Sequence, residues 1–414
     1  MSDPSTSTPQ RREGAPTSAP ALEGVSPLSR TPLRLFLVCE LMLVSAVAWR
    51  RGVYYSGGVD GVVVIKAALS LAALALAATA PRHGATWSSL RVGPLPLLAC
   101  YLAISCVGAA LHGGASATAV LIARVLVITL TVLLLLRAYP GRTVLSSLCS
   151  AMLLLAAVGA ATGFGSLAAE GRLYGGIPPL NANEISMLVS IPLACLVWRW
   201  TNHVATALDI ATVAPLLGVI WLTGTRTGLA ALLLSCVILV LMAPRVPAPL
   251  LSLGLLAIPA LLAVLLFTPV LSQYATRGDE ASTLTLNNRT VAWTAALHYA
   301  DTAVERWFGV GLSVKEIPVT AMYRTEQILD STWISAVVQS GLLGTATLAL
   351  LVLLTLARAA RVAPPYRSLG VAVLTLLVVL SLLESGLFDA SSTFIAFLCF
   401  ALVMQPLPQQ EGRP

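Results

Sequence analysis

Charged residues are scarce in this sequence. Only 10% of its 414 residues are Asp, Glu, Lys or Arg, against roughly 25% in an ordinary soluble domain. Hydrophobic residues make up 57%, and they form uninterrupted blocks of about 16 to 20 residues, long enough for membrane helices. The shortage of charge excludes a soluble globule and predicts an all-α polytopic protein of the cell membrane, embedded in a lipid bilayer.

Groups for metal or redox chemistry are also few. The seven cysteines form no CxxC pair and lie in or beside apolar blocks, and the four histidines have no ligand spacing. We interpret the cysteines as small apolar residues, not disulfides or metal ligands. The sequence has no Walker loop, zinc signature or paired acid motif. It therefore supports neither ATP hydrolysis nor metal catalysis, and we expect no cofactor.

Apolar blocks between charged or Gly/Pro-rich breaks predict about twelve transmembrane helices. The predicted spans are 33–49, 61–80, 94–112, 117–136, 143–163, 185–200, 204–222, 228–243, 250–267, 332–357, 369–384 and 392–405. Residues 1–32, polar and rich in Ser, Thr and Pro, predict a disordered cytoplasmic tail, and residues 406–414 predict a second one.

The charges indicate the orientation of these spans. Basic residues near span ends tend to stay cytoplasmic, and with both termini inside the net charge of +7 divides into +10 inside, −3 outside and 0 within spans. No acid falls in an internal cytoplasmic loop on this assignment. We therefore expect both termini to be cytoplasmic, and the basic surplus reflects topology, with no nucleic-acid partner implied.

Two predicted outer loops are long. One covers residues 164–184, and the other covers residues 268–331, between the nine spans of residues 33–267 and the three spans of residues 332–405. Long loops in compact proteins are usually functional. The second loop has no Gly or Pro from Arg289 to Trp307, so we expect a helix near 289–307 in a small extracytoplasmic subdomain.

Two outer arginines lie at predicted helix starts. Arg226 precedes the eighth span, and Arg289 opens the loop helix. A cation there is unfavourable by a few tenths to about 1 kcal/mol, because the helix dipole is already positive at that end. Free backbone N–H groups and guanidinium groups at one point are typical of a phosphate or diphosphate site. Arg172, in the other long loop, is a third candidate, and Asn181 and Asn183 follow it at the start of the sixth span.

Simpler interpretations stay open for each of these residues. The arginines can pair with outer acids or reach lipid phosphates. Asp330, at the start of the tenth span, can be an N-cap, or it can accept a proton from an attacking hydroxyl.

Four charged residues fall within predicted spans: Glu40, Lys66, Arg124 and Asp209. Ionisable groups inside a membrane are usually paired or functional, so a secondary transporter or flippase for an anionic or lipid-linked solute is an alternative. The sequence shows no convincing internal repeat of the kind that transporters usually have. A membrane anchor whose outer loop only binds partners is a third possibility, but it does not explain arginines at helix starts.

Several short motifs, in this order, resemble the O-antigen ligase and polysaccharide polymerase family across roughly residues 165–355. They are Arg172-Leu-Tyr-Gly-Gly, Asn181-Ala-Asn-Glu184, Leu222-Thr-Gly-Thr-Arg-Thr-Gly228, Asn288-Arg-Thr-Val-Ala-Trp293, Phe308-Gly-Val-Gly-Leu312, Asp330-Ser-Thr-Trp333 and Ser340-Gly-Leu-Leu-Gly344. The resemblance implies a membrane glycosyltransferase of the GT-C type that takes a saccharide from a polyprenyl diphosphate and transfers it to a glycan or glycolipid acceptor on the outer face.

The resemblance also implies roles for individual residues. Arginines at the positions of Arg226 and Arg289 hold the diphosphate in the ligases, and Arg172 is expected to assist them. Ligases typically carry a histidine where this sequence has Asp330, whereas some polymerase-like relatives use an acidic residue in the comparable loop. Asp330 is accordingly the expected base, and both a ligase and a polymerase remain open.

Overall fold

The computed structural model describes residues 25–29, 31–50, 58, 60–81, 93–243, 289–318 and 326–405. This part of the chain is mostly helical. Its helices are α1 (Leu33–Ala46), α2 (Gly61–Ala78), α3 (Leu95–His112), α4 (Ala115–Ala138), α5 (Gly141–Thr162), α6 (Ser166–Glu170), α7 (Ala182–Thr201), α8 (Ala207–Thr223), α9 (Arg226–Leu241), α10 (Arg289–Leu297), α11 (Ala303–Phe308), α12 (Thr332–Ala359), α13 (Tyr366–Leu383) and α14 (Ser392–Val403).

The helices fall where the apolar blocks predict them. Six of them are long and apolar enough to cross a membrane: α2, α3, α4, α5, α12 and α13. Helices α8, α9 and α14 are shorter but also apolar. The chain is therefore a multi-pass membrane protein, while the predicted span 250–267 and the tail 406–414 lie outside the described residues.

Helix α7 lies at the centre of the bundle. Nearly all of its side chains are buried, and it packs against α5, α8, α9 and α13. At one end, the Trp198 ring stacks on Tyr366 at 5.4 Å between centroids, and its indole N–H donates to the carbonyl of Pro365 over 3.1 Å. This central packing fixes the position of the first turn of α7 at the opposite end.

Many large apolar side chains face outward from the outer helices. Leu111 of α3, Leu126 of α4 and Leu353 of α12 are 65%, 51% and 63% exposed. A soluble protein rarely exposes so much contiguous apolar surface. These side chains form the surface expected to contact lipid.

Residues 25–29 belong to the predicted amino-terminal tail but are packed against the helices. Residues 25–29 pack against α5: the Ser26 N–H donates to the hydroxyl of Ser146 over 3.0 Å, and the Ser150 hydroxyl donates to the carbonyl of Pro27 over 2.6 Å. The side chain of Val25 is fully buried. The prediction of disorder is wrong for these five residues, because the polar composition of residues 1–32 does not show that some of them pack against α5. Residues 1–24 lie outside the described part.

The region predicted as one helix over 289–307 contains two short helices, α10 and α11. A new helix start divides them, since Thr302 and Glu305 form a reciprocal capping box. Gly309 ends α11 with a φ of 71°. A two-stranded antiparallel sheet, β1 (Glu316–Pro318) with β2 (Glu326–Ile328), follows. Strands of three residues are too short for periodicity to predict.

Helix α12 is kinked rather than straight. Gly341 has a φ of 63° and a ψ of −167° inside it, which breaks the helical ladder and frees carbonyls in the preceding turn. The Val310 N–H donates to the carbonyl of Val338 over 3.0 Å, and the Gly311 N–H donates to that of Gln339 over 2.9 Å. The kink thus binds the loop after α11 directly to the backbone of α12.

We predict that Gly341→Ala destabilises the protein by about 2 kcal/mol or more, because only glycine readily adopts this conformation. A Cβ would also lie 2.5 Å from the carbonyl carbon of Trp307. Thermal unfolding in detergent measures the effect. Gly218→Ala in α8 is the control, since nothing lies within 4 Å of its Cβ position. Equal unfolding midpoints for the two variants would contradict the role of the kink.

Candidate functional site

Most candidate residues lie at the end of the helix bundle where α7 and α9 begin. Contacts between them bring residues 162–182, 223–226, 308–318, 330–332 and 383–392 to this end of the bundle, and we call the surface that they form the loop face. The sequence predicts that this face is extracytoplasmic. Contacts between its segments connect most of the candidate residues.

Arg226 is the first residue of α9, as predicted. Thr225 occupies the N-cap position, but its side chain makes no capping hydrogen bond; its hydroxyl lies 3.0 Å from the hydroxyl of Thr223 instead. The side chain of Arg226 is half-buried. Uncapped amides of a first turn, the positive end of the helix dipole and a guanidinium together favour an anion at this point.

Arg172 lies against the same turn. Its Nε donates to the carbonyl of Thr223 over 2.9 Å, and the Leu173 N–H donates to the carbonyl of Leu222 over 2.9 Å. Its guanidinium lies 5.5 Å from the centre of the Tyr174 ring, on which it can form a cation–π contact. The structure therefore brings Arg172 to the turn that carries Arg226, although the two residues are 54 positions apart.

The first turn of α7 adjoins the start of α9. A Cβ on Gly228 would overlap the side chain of Ser186, so these two helices approach closely there. Asn183 donates its side-chain amide to Glu384 Oε1, at the end of α13. Asn181 takes the N-cap position of α7, but its side chain does not cap the helix. Asn183 thus connects the first turn of α7, which adjoins the turn that carries Arg226, to the segment after α13.

Asp330 is two residues before Thr332, which contacts this segment. The N-cap of α12 is Ser331, so Asp330 is not the N-cap, and the simpler of its two interpretations is wrong. Thr332 anchors the strand of chain around it, because its N–H and its hydroxyl both donate to the carbonyl of Glu384, over 3.1 and 2.8 Å. The Asp330 side chain is half-buried, and its position on the loop face is fixed by these neighbours.

Arg289 is the first residue of α10, which agrees with its predicted place at a helix start. Helix α10 packs against α12 and β1, so the backbone of Arg289 belongs to the same subdomain as Asp330. Its side chain lies outside the described part of the structure, and its role stays a prediction.

Lys66 and Arg124, two of the charged residues within predicted spans, meet at the end of α1. The Lys66 ammonium donates to the carbonyl of Val47 over 2.7 Å, and Arg124 donates to that of Ser45 over 3.3 Å. The last carbonyls of a helix lack partners within it and carry its negative pole. The two cations therefore have a structural task that the sequence did not indicate.

Asp209 has a structural task as well. It forms a capping box with Thr206 at the start of α8, and its Oδ2 lies 3.0 Å from Arg199 Nε, with the two side chains 2% and 11% exposed.

Removing one partner of a buried ion pair leaves an uncompensated charge, so we predict that Asp209→Ala lowers the free energy of unfolding by about 3–5 kcal/mol. The specific activity of the folded fraction should stay unchanged, which thermal unfolding and a turnover assay on the same sample would measure. A selective loss of turnover without loss of stability would contradict this assignment.

Sequence reasoning missed Tyr174, Glu384 and Thr332 as neighbours of the site. Tyr174 lies two residues after Arg172, and Glu384 interrupts the apolar run at the end of the eleventh predicted span. An acid at the end of an apolar span could have indicated from the sequence that Glu384 lies near the site. The hydrogen bond between Asn183 and Glu384 could not be predicted from the sequence, because 201 positions separate the two residues.

Comparison with known families places most of these motifs in one domain. Residues 210–349 match the family model described as O-Antigen ligase, which confirms the resemblance over that segment. The match includes Arg226, Arg289 and Asp330, whereas Arg172 and the Asn181–Glu184 segment precede it. Comparison with curated proteins gives no match.

Proposed function

Because residues 210–349 of this multi-pass membrane protein match the O-antigen ligase family model, we propose that the chain transfers or polymerises a polyprenyl-diphosphate-linked saccharide onto an acceptor hydroxyl. The family supports membrane glycan transfer in polysaccharide assembly. The observation that supports the finer proposal is the start of α9, which has no side-chain cap: Arg226 is its first residue, and Arg172 donates to the carbonyl of Thr223 in the turn just before it.

In the proposed reaction the arginines hold the diphosphate. An acceptor hydroxyl attacks the anomeric carbon, the bond from that carbon to the phosphate oxygen breaks, and the bonding electrons leave with the diphosphate. Arg226 and Arg289, with Arg172, stabilise the charge that develops there. The hydroxyl proton passes to the carboxylate of Asp330. Attack from the face opposite the leaving group inverts the anomeric configuration.

The second candidate function, a transporter or flippase, loses much of its support. It depended on charged residues within predicted spans, and three of the four have structural partners: Lys66 and Arg124 at the end of α1, and Asp209 with Arg199. Such residues need no translocated solute to explain them.

The experiment is a transfer assay with the purified protein in lipid. A labelled polyprenyl-diphosphate saccharide is supplied with candidate glycan and glycolipid acceptors, and label on the acceptor is measured together with release of polyprenyl diphosphate. We expect both products in equal amounts. Movement of intact donor across vesicle membranes without cleavage would refute the proposal and favour the flippase.

Cells that lack the protein distinguish a ligase from a polymerase. Loss of a polymerase should leave single repeat units on the carrier lipid, whereas loss of a ligase should leave long polymer on it. Analysis of the carrier-linked glycans by size therefore assigns the subtype.

A further inference from the structure

Helix α11 has an apolar side that faces outward. Val304 and Trp307 are neighbours on this side, because residues three apart lie together on a helix surface, and they are 48% and 52% exposed. The opposite side carries the capping residues Thr302 and Glu305. An amphipathic helix normally turns its apolar side towards a core, whereas α11 turns these two side chains away from the protein.

Helix α11 lies alongside the last turn of α3. Glu305 Oε1 is 3.3 Å from Nδ1 of His112, the last residue of α3. A Cβ on Gly108, one turn earlier in α3, would lie 2.4 Å from the carbonyl oxygen of Phe308. From Glu305 to Phe308, α11 therefore descends along α3 by about one helical turn, roughly 6 Å.

The length of α3 relates this position to the bilayer. Helix α3 is long and apolar enough to cross a membrane, and its 18 residues rise by about 27 Å. The hydrocarbon layer is about 30 Å thick, so a helix of this length that spans the layer has no turn left over outside it. Gly108 therefore lies within the layer, and the end of α11 that contacts it lies at the same depth.

Helix α12 gives the same level independently. Its part after the kink, from Gly341 to Ala359, rises by about 28 Å, which again matches the thickness of the hydrocarbon layer. A Cβ on Gly341 would lie 2.5 Å from the carbonyl carbon of Trp307, and Leu342, the next residue, is 51% exposed. Trp307 thus lies where the lipid-facing surface of α12 begins.

We propose that α11 is an interfacial helix whose Val304–Trp307 side contacts lipid in the leaflet at the loop face. Tryptophan is enriched at membrane interfaces, since its ring is apolar and its N–H is polar, and amphipathic helices lie there with their apolar side among the acyl chains. The lipid surface of α3 and α12 continues onto α11. The proposal does not depend on the transfer reaction, and it places a helix of the large predicted outer loop in the membrane.

Photocross-linking of the full chain in nanodiscs of phosphatidylcholine and phosphatidylglycerol tests this contact. Trp307 is replaced by p-benzoylphenylalanine, an aromatic residue that forms covalent adducts with neighbouring C–H bonds on irradiation. The same replacement at Leu111, an exposed residue of α3, gives the yield for a lipid-facing position. Replacement at Asp301, which is exposed and precedes the N-cap of α11, is the matched control for a position outside the bilayer. Mass spectrometry of the irradiated protein measures the lipid adducts.

We expect the yield of lipid adducts at position 307 to be within about twofold of that at position 111 and at least fivefold above that at position 301. Equal yields at positions 301 and 307 would overturn the proposal. So would adducts of position 307 mainly with a second copy of the protein or with another segment of the same chain, because these outcomes would show that protein covers the apolar side.

Fluorescence quenching repeats the test without the artificial residue. The emission of Trp307 is the difference between the wild type, which has eight tryptophans, and Trp307→Phe. We expect lipids brominated near the headgroup to quench this emission at least twofold more strongly than lipids brominated at the chain end or aqueous iodide. If Trp307→Phe does not fold, the emission that Val304→Trp adds should show the same order. Stronger quenching by iodide, or by the chain-end bromines, would overturn the interfacial position.

Discussion

Arg226→Gln should reduce kcat/KM for glycan transfer by about 10²–10³-fold, the usual cost of removing one preorganised group that stabilises developing charge. The expectation follows from the position of Arg226 at the first turn of α9, where the N-cap Thr225 supplies no side-chain hydrogen bond. A diphosphate bound there gains from the helix dipole and the guanidinium together. Glutamine keeps most of the side-chain length and removes only the charge and the forked donor.

Two further variants serve as a comparison and a control in this experiment. Arg226→Lys should recover part of the lost activity, because it restores the charge but not the bidentate geometry. Arg306→Gln is the control, since Arg306 is an exposed arginine of α11, and its loss should change turnover less than twofold. Retention of more than a tenth of wild-type activity by Arg226→Gln, with an unchanged unfolding midpoint, would rule out Arg226 as the diphosphate ligand.

Most helices of the described chain could be predicted from the sequence, and the reason is physical. Every backbone group in a bilayer must be satisfied within its own segment, so an apolar block such as 143–163 has little choice but to become α5 (Gly141–Thr162). The same argument does not predict the kink at Gly341. That kink depends on backbone partners at Val310 and Gly311, which only the tertiary structure brings together.

The candidate site divides in the same way. Arg226 was predictable because a cation at a helix start contradicts a local rule, and a single sequence shows such conflicts. Its neighbourhood with Arg172 depends on a hydrogen bond to Thr223, and the place of Asn183 depends on Glu384.

Asp330→Asn should lower kcat by about 10²–10⁴-fold, the range that a positioned general base contributes, and leave the donor KM near its wild-type value. The amide occupies the same space but does not accept the proton of the acceptor hydroxyl. Because Ser331 is the N-cap of α12, the loss of the carboxylate should not unfold the helix start. Transfer kinetics and thermal unfolding on the same preparation measure both effects.

Two matched variants distinguish a base from a structural carboxylate. Asp301→Asn removes an acid from an exposed position just before α11, and it should leave kcat unchanged. Asp330→His should retain more than a tenth of the wild-type kcat, because an imidazole also accepts a proton near neutral pH and the ligases that the sequence resembles typically carry histidine there. A histidine variant as inactive as the asparagine variant, with both proteins folded, would show that the carboxylate is needed for its shape or contacts and that the proton goes elsewhere.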